Sequence, residues 1–447
     1  MNSITNIKIQ RGWFSLPNKI SGGYVLMLPI LIAQLLQRIY PVIDNHFIGI
    51  LGKSYLYLHN IQFNFITFGQ FIGTATSVSI LVFWRREECT HQQGHILIKH
   101  LLSTTLLTMT AALTAWVFSE KILLAYSIDT NAITVARAYL GIGLLNMVLQ
   151  SIYISLDGAL VASKLQRFSM LIAAGLLAGN IIFDRLSIAY YFSGNDPVTP
   201  LLLIGLSTTG ILLFAITIST RKILRHIHGW SSFSIKEMMS VWCSELGVYL
   251  IRGVTPFIYT YQLCLITASA GFIVTYQLAL QLSYLFCLPL LASMQIAVRE
   301  ASEAESVNTN TAKWWQPLLY TGILPTTALL ALGVFAGVPI LEIAFNYHPA
   351  SDHFNYLPVF FISCWIGQWG NIFTVPLRAK KLNYLVTKNF FIAELIILLG
   401  GTQLLIMLNL ATPLTVAYAS LLFTTAYLIL NVRNAHIINQ NKVVSVP

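Results

Sequence analysis

The longest uncharged stretch of this chain runs from residue 253 to residue 298, and it limits the possible folds more than any other feature. A helix needs about 20 consecutive apolar residues to cross a membrane, so this stretch is long enough for two such helices. Only 9% of all residues are charged, compared with about 25% in soluble domains. The chain is therefore predicted to be an integral membrane protein. Its apolar runs are continuous rather than alternating, which indicates helices and not the strands of a barrel.

Apolar runs of spanning length recur along the whole sequence, and each predicts one membrane helix. The twelve runs are 24–51, 56–84, 96–118, 133–156, 167–190, 198–220, 240–267, 271–297, 316–346, 355–377, 386–409 and 413–432. A basic stretch after the sixth run divides them into two equal sets. We therefore predict an all-α membrane protein with two pseudo-symmetric six-helix lobes. Its parts are a cytoplasmic lead-in (1–23), an N-lobe (24–220), a cytoplasmic connector (221–238), a C-lobe (239–433) and a cytoplasmic tail (434–447).

Lysine and arginine residues predict how these helices are oriented, because they are enriched on the cytoplasmic side of a membrane. With the N-terminus inside, most of them fall in inner segments. The exceptions in outer loops are Lys53, Lys121, Arg137 and Arg185, and two more, Arg38 and Arg252, fall within helices. Both termini are therefore expected to be cytoplasmic, in the inner membrane of the cell. The lead-in shows no convincing cleavage site, so we do not interpret it as a signal peptide.

Asp44 lies deep in the first predicted helix, in the sequence Tyr40-Pro41-Val42-Ile43-Asp44. An ionised aspartate in the middle of a membrane costs at least about 2.5–3.5 kcal/mol, so a functional role is the default hypothesis. Tyr40 precedes it by one turn and lies on the same helix face. Pro41 removes a backbone donor and can bend the helix there. We interpret Asp44 as a ligand of a coupling cation.

Polar residues of the fifth and sixth helices are predicted to lie at the same depth as Asp44. Asn180 and Asp184 are one turn apart on one helix face, and the sixth helix carries Ser207-Thr208-Thr209. Two carboxylates, an amide and a hydroxyl are suitable ligands for a small cation such as Na⁺. A carboxylate pair could equally hold a proton. An asparagine in a membrane helix is also often only a hydrogen-bonding contact between helices.

The second half of the chain offers weaker signals. Aligning the halves with an offset of 215 pairs Pro41 with Pro256 and Gln62 with Gln277, and it places Tyr259 opposite Asp44. The halves are therefore not chemically equivalent. The residues considered for a substrate or secondary ion site are Tyr259, Gln277, Glu245, Arg252 and Glu394. Glu245 and Arg252 are expected either to pair with each other or to pair separately with other helices.

The segment PILIAQLLQRIYPVIDNHFIGILG, at residues 29–52, resembles the first helix of multidrug and toxic compound extrusion (MATE) transporters. The resemblance continues in Gly69, Gly73 and Ser77 of the second helix and in the Asn-x-x-x-Asp motif of the fifth. It implies two lobes that open alternately to either side of the membrane. It further implies export of organic, amphiphilic or cationic compounds against an inflow of protons or sodium ions.

The resemblance also assigns roles to residues of the N-lobe. By position, Asp44, Asn180 and Asp184 match the cation site of the family, and Tyr40 matches its hydrogen-bonding tyrosine. Pro29 matches the proline about which the first helix of the family bends, and Pro41 would be a second hinge. The sixth-helix threonine of the family falls on Thr209 or Thr208. A sodium ion would then be held by Asp44, Asn180, Asp184 and Thr209.

Other functions are weighed against this interpretation. A flippase for lipids or lipid-linked oligosaccharides of the same superfamily remains the alternative. An intramembrane prenyl transferase would need repeated Asp-rich Mg²⁺ motifs, which are absent from the sequence, so an enzyme is not expected. A channel would need a selectivity-filter loop, and none is evident. The expected partners are a small-molecule substrate and membrane lipid, and binding of nucleic acid is not expected. No cofactor is expected beyond the coupling ion, H⁺ or Na⁺. The chain is expected to be a monomer.

Overall fold

The computed structural model describes residues 41–84, 91–191, 196–266, 270–294, 318–380 and 382–444, with single positions at 31, 32, 35, 36, 39 and 297. Regular secondary structure in these segments is entirely helical. Two residues predicted for the cation site and the hinge, Tyr40 and Pro29, lie outside the described residues.

The helices of the first half follow the predicted apolar runs closely. They are α1 (41–51), α2 (Lys53–Trp84), α3 (Gln93–Val117), the short α4 (Ser119–Ala125), α5 (Ile133–Ala162), α6 (Gln166–Tyr191) and α7 (Val198–Leu224).

The second half contains more interrupted helices. They are α8 (Ile235–Ile266), α9 (Ala270–Phe286), α10 (Leu288–Met294), α11 (Leu324–Phe345), α12 (Tyr356–Ile372), α13 (Thr374–Ala379), α14 (Asn383–Phe390), α15 (Gly401–Met407) and α16 (Pro413–Val444). A π-helical turn, Leu319–Ile323, precedes α11, and a longer π-helical segment, Phe391–Gly400, joins α14 to α15.

Eight helices in the described part of the chain are long and apolar enough to cross a membrane. A ninth span results if α9 and α10, which are bent by 48° against each other, count as one. Large apolar side chains such as Phe335 (88% exposed) and Ile343 (81% exposed) point outward, as expected of helices that face lipid. The predicted all-α membrane architecture is therefore confirmed, while the total of twelve helices stays a prediction.

The apolar run at 271–297 predicts one membrane helix, whereas the structure divides it into α9 and α10 with a bend between them. Pro289 lies in the first turn of α10, where its ring and missing N–H disrupt the hydrogen bonds of the preceding turn. A second break occurs inside α11. Ala336 leaves the helical conformation there (φ −128°, ψ 21°), three residues before Pro339.

Helix α2 is central to the first half and packs closely against α5. Gly73 makes this possible, because a Cβ atom added there would lie 2.7 Å from the carbonyl oxygen of Ser151. Small residues allow membrane helices to approach in this way. Helix α5 also packs against α7, and α7 packs against α6. This arrangement holds α6 in the first half, while α2 also contacts α8 and α9 of the second half.

Candidate functional site

Helices α1 and α6 bring together the three residues predicted for the cation site. The Nδ2 group of Asn180 donates to Oδ1 of Asp44 and, at 3.0 Å, to Oδ2 of Asp184. Asn180 and Asp184 are fully buried, and Asp44 is only 4% exposed. One amide thus bridges two carboxylates from different helices. Asn180 and Asp184 can meet within α6 because residues four positions apart lie one turn apart on the same helix face.

Two oxygen atoms of this cluster have no hydrogen-bond partner. They are Oδ1 of Asn180 and Oδ1 of Asp184, and both are buried. Buried polar atoms are usually satisfied, and each exception needs an explanation. Carbonyl and carboxylate oxygens are hard ligands that suit small cations. The donor set therefore fits a sodium ion, and the two carboxylates equally fit a shared proton.

Residues of α5 and α7 complete the surroundings of the carboxylates. Tyr139 of α5 is fully buried and interacts electrostatically with both Asp44 and Asp184. Its hydroxyl is 2.7 Å from Nδ1 of His59, a buried residue of α2. Ser207 of α7 lies near Asp184. Sequence reasoning missed Tyr139, because a tyrosine in a membrane helix gives no sign of which neighbour it faces.

The structure directs Thr209 toward α5 rather than toward the carboxylates. Its hydroxyl donates to Oδ1 of Asn146, at 2.7 Å, and to the carbonyl oxygen of Gly205, at 3.1 Å. Residues 207 and 209 are separated by about 200° around a helix, so they cannot face the same neighbour. Ser207 is the α7 hydroxyl that lies near Asp184, and it donates to the carbonyl oxygen of Ile204 at 2.8 Å. The hydroxyl of Thr208 donates to the carbonyl oxygen of Ile204 within its own helix.

Glu245 and Arg252 do not pair with each other. Seven residues along a helix correspond to about 10 Å of rise, which is too far for direct contact. Glu245 is instead electrostatically coupled to Arg378, and Arg252 to Glu394. The structure thus places each of the two side chains near a charged residue of another helix, and their role stays a prediction.

Arg252 and Glu394 form a second polar cluster, between α8 and the π-helical segment. The guanidinium of Arg252 lies 4.1 Å from the centre of the Phe390 ring, and it donates to Oδ1 of Asn371 at 3.3 Å. Glu394 accepts a hydrogen bond from Thr255 at 3.3 Å. Both side chains thus have polar partners within the protein.

Tyr259 and Gln277, which were considered for substrate binding, are buried between helices. The Tyr259 hydroxyl lies 3.2 Å from that of Ser420, and its ring packs edge-on against Tyr276 with centroids 5.1 Å apart. Gln277 donates to Oδ1 of Asn64, at 3.2 Å, in the first half of the chain. The structure thus gives both residues partners within the protein.

Long apolar helices that enclose two carboxylates are typical of secondary transporters, which place ionisable groups inside the membrane only where function needs them. The comparisons with known proteins agree with this class. The MatE family model matches residues 29–186, which include α1 to most of α6. No curated protein matches the sequence.

Solved structures resemble nearly the whole chain. An inward-facing MATE family transporter of the MOP superfamily has a TM-score of 0.76 at 13% identity, covering 94% of this chain and 100% of that one. An outward-facing MATE family transporter has a TM-score of 0.71 at 14% identity, with coverages of 94% and 95%. A MOP superfamily transporter from Pyrococcus furiosus, described as having a binding pocket of reverse polarity, has a TM-score of 0.73 at 13% identity, with coverages of 94% and 95%.

These matches confirm the resemblance to MATE transporters that the sequence suggested. Residues 29–186 match the MatE family model, and nearly the whole chain shares the fold of the solved MATE transporter structures. The solved structures are described as transporters, which is the class of protein that the sequence predicts.

Proposed function

We propose that the protein is an antiporter that exports organic, amphiphilic or cationic compounds across the cytoplasmic membrane, coupled to an inflow of H⁺ or Na⁺. The observation that carries the proposal is the amide of Asn180, which bridges the carboxylates of Asp44 and Asp184. The cluster is buried and keeps two oxygen atoms without partners. A bound cation supplies the positive charge that two neighbouring buried carboxylates require.

The cluster can couple ion binding to a change of shape because its carboxylates come from different helices. A cation attracts Asp44 of α1 and Asp184 of α6 toward each other, whereas the empty site leaves two negative charges side by side. Pro41 begins the described part of α1 and gives this helix a place to bend. Antiport requires that cation and substrate stabilise opposite conformations, since a ligand shifts an equilibrium only by its differential affinity.

The two candidate ions use the cluster differently. A sodium ion would contact oxygens of Asp44, Asp184 and Asn180, with Ser207 as the nearby hydroxyl. A proton needs only the two carboxylates, which would share it. Thr209 would not bind the ion itself, because its hydrogen bond to Asn146 is part of the contact between α5 and α7.

A lipid flippase has the same fold, and the interior arginine of α8 is the feature that bears on it. Flippases of anionic lipids require unpaired basic side chains in the cavity. Arg252 is bound to Asn371 and electrostatically coupled to Glu394. The guanidinium thus already has partners within the protein, which favours export of organic compounds over transport of lipid headgroups.

Transport by purified protein in proteoliposomes tests the proposal. Vesicles loaded with a fluorescent organic cation such as ethidium should move the dye against its gradient when a proton or sodium gradient is imposed. A parallel set carries a headgroup-labelled lipid, and a membrane-impermeant quencher reports its movement between leaflets. Gradient-driven dye movement supports the antiporter. Translocation of the labelled lipid without a gradient, together with no dye movement, would establish the flippase instead.

A further inference from the structure

Buried amide side chains connect the two halves of the protein next to the candidate cation site. Nδ2 of Asn45 in α1 donates to Oε1 of Gln281 in α9 at 2.7 Å. Nε2 of Gln281 donates in turn to Oδ1 of Asn60 in α2 at 3.4 Å. All three side chains are 5% exposed or less. We call this set of three residues the first rung.

A second rung of similar chemistry lies one helical turn away. Gln277 of α9 donates to Oδ1 of Asn64, at 3.2 Å, and to Oγ1 of Thr260, at 3.0 Å. Nδ2 of Asn64 also donates to Thr260 at 3.3 Å. The second rung therefore joins α2, α8 and α9. The two rungs differ in one respect, because the hydrogen bonds of the second do not include α1.

The first rung is incompletely hydrogen-bonded. Oδ1 of Asn45 and Nδ2 of Asn60 are buried and have no partner. Buried polar atoms without partners are costly. The first rung is thus less favourable than a fully paired one, and a modest change in the position of α1 can separate or complete it.

Asn45 follows Asp44 directly in the chain, so the two side chains leave α1 about 100° apart. Asp44 faces Asn180 within the first half, whereas Asn45 faces the second half. The amide of Asn45 also donates to the carbonyl oxygen of Pro41 at 2.8 Å. A bond from a side chain to the carbonyl one turn earlier is the kind that bends helices. A shift of α1 at Asp44 therefore moves the first rung.

We propose that Asn45 and Gln281 are positioning residues that transmit cation occupancy at Asp44 to the contact between the two halves. The proposal rests on the proposed function of Asp44. Binding of the cation draws α1 toward α6, and the first rung changes its pairing with Gln281. The second rung holds the two halves together by hydrogen bonds that do not depend on the ion.

The separation of the two halves, measured by electron–electron double resonance, tests this proposal. One spin label at Asn131 and one at His348, both exposed residues, measure the distance between the two halves at the end of the bundle where α1 and α11 meet. A Cβ atom added at Gly49 of α1 would lie 2.8 Å from the carbonyl oxygen of Phe345 in α11, which defines this end. The labels are placed in full-length protein with its five native cysteines replaced. Distances are recorded at low and high pH, and with and without NaCl.

The expected result is that Gln281→Met and Asn45→Leu each abolish the ion-dependent change in distance. Gln277→Met is the matched control, since it removes the same group one turn away. It should shift the resting populations by about 5- to 160-fold, as the loss of its two hydrogen bonds, to Asn64 and Thr260, predicts, but it should keep the ion response. Because each of the two variants removes the Asn45–Gln281 hydrogen bond, the test can still be made if one of them does not fold.

Three results would overturn the inference. The first is an unchanged ion response in both Gln281→Met and Asn45→Leu. The second is an equal loss in Gln277→Met, which would reduce both rungs to structural contacts. The third is the absence of any ion response in the wild type, or its persistence in Asp44→Asn. Only this third result would also remove the proposed function of Asp44, so the two failures are distinguishable.

Discussion

Replacing Asn180 by alanine removes the amide that bridges the two carboxylates. Its Nδ2 group makes two hydrogen bonds to them, and a hydrogen bond to a charged group contributes about 1.5–3 kcal/mol. The variant also loses the open Oδ1 atom. If sodium is the coupling ion, the loss of one such contact predicts an affinity for Na⁺ reduced by about 10- to 150-fold, since 1.4 kcal/mol corresponds to tenfold. If the ion is a proton, the two carboxylates still share it, and proton-driven transport persists.

Titration calorimetry with NaCl at constant ionic strength measures the first quantity, and dye transport under a pH gradient measures the second. Asn146→Ala is the matched control. Asn146 is also buried in the first half, but it bonds to Thr209 and to the carbonyl oxygen of Gly205. Wild-type sodium affinity in Asn180→Ala would refute the reasoning. So would an equal loss of affinity in both variants, because it would show that any buried amide of this half has the same effect.

Three further predictions concern stability. Gly73→Leu should lower the melting temperature measured by intrinsic fluorescence in detergent, because α2 and α5 are in contact there; Gly175→Leu should not, because no atom lies within 4 Å of a Cβ at that position. Arg252→Met should destabilise by about 1.5–3 kcal/mol, the typical contribution of a hydrogen bond from a charged group, because the guanidinium donates to Asn371; denaturant unfolding that stays within error of wild type would contradict this. The pKa of Asp196, in the loop before α7, is lowered by hydrogen bonds from Thr199 and from the first turn of α7. The Asp196 carboxylate should therefore stabilise the start of α7 at neutral pH, and this stabilisation should disappear as the pH falls through the lowered pKa. Hydrogen exchange of the first turn of α7 should differ between wild type and Asp196→Ala only above that pKa.

Much of the fold and of the candidate site could be predicted from the sequence because local rules determine them. The length of each apolar run predicts a membrane helix, and the helices observed in the first half begin and end near the predicted residues. The spacing of Asn180 and Asp184 places both on one face of α6. The high cost of a charge within the membrane identifies Asp44. The structure brings these three residues together, and their role in binding a cation stays a prediction.

Contacts between helices could not be predicted in the same way. The rotation of α7 decides that Ser207 rather than Thr209 faces Asp184, and packing against α5 fixes that rotation. The bond between Asn45 and Gln281 joins residues 236 positions apart. Arg252 has ended close to Glu394 because α8 lies beside the π-helical segment. Each of these depends on how helices pack, which a single sequence does not reveal.

The proposed function requires that Asp44 and Asp184 bind the coupling cation. The most direct test is the transient current produced by protein adsorbed on a solid-supported membrane after a sudden change of pH or of NaCl concentration. It needs no knowledge of the substrate. We expect a current in the wild type and in Asp129→Asn, a control in an exposed loop, and none in Asp44→Asn or Asp184→Asn. A current of wild-type size in either of the last two variants would contradict it.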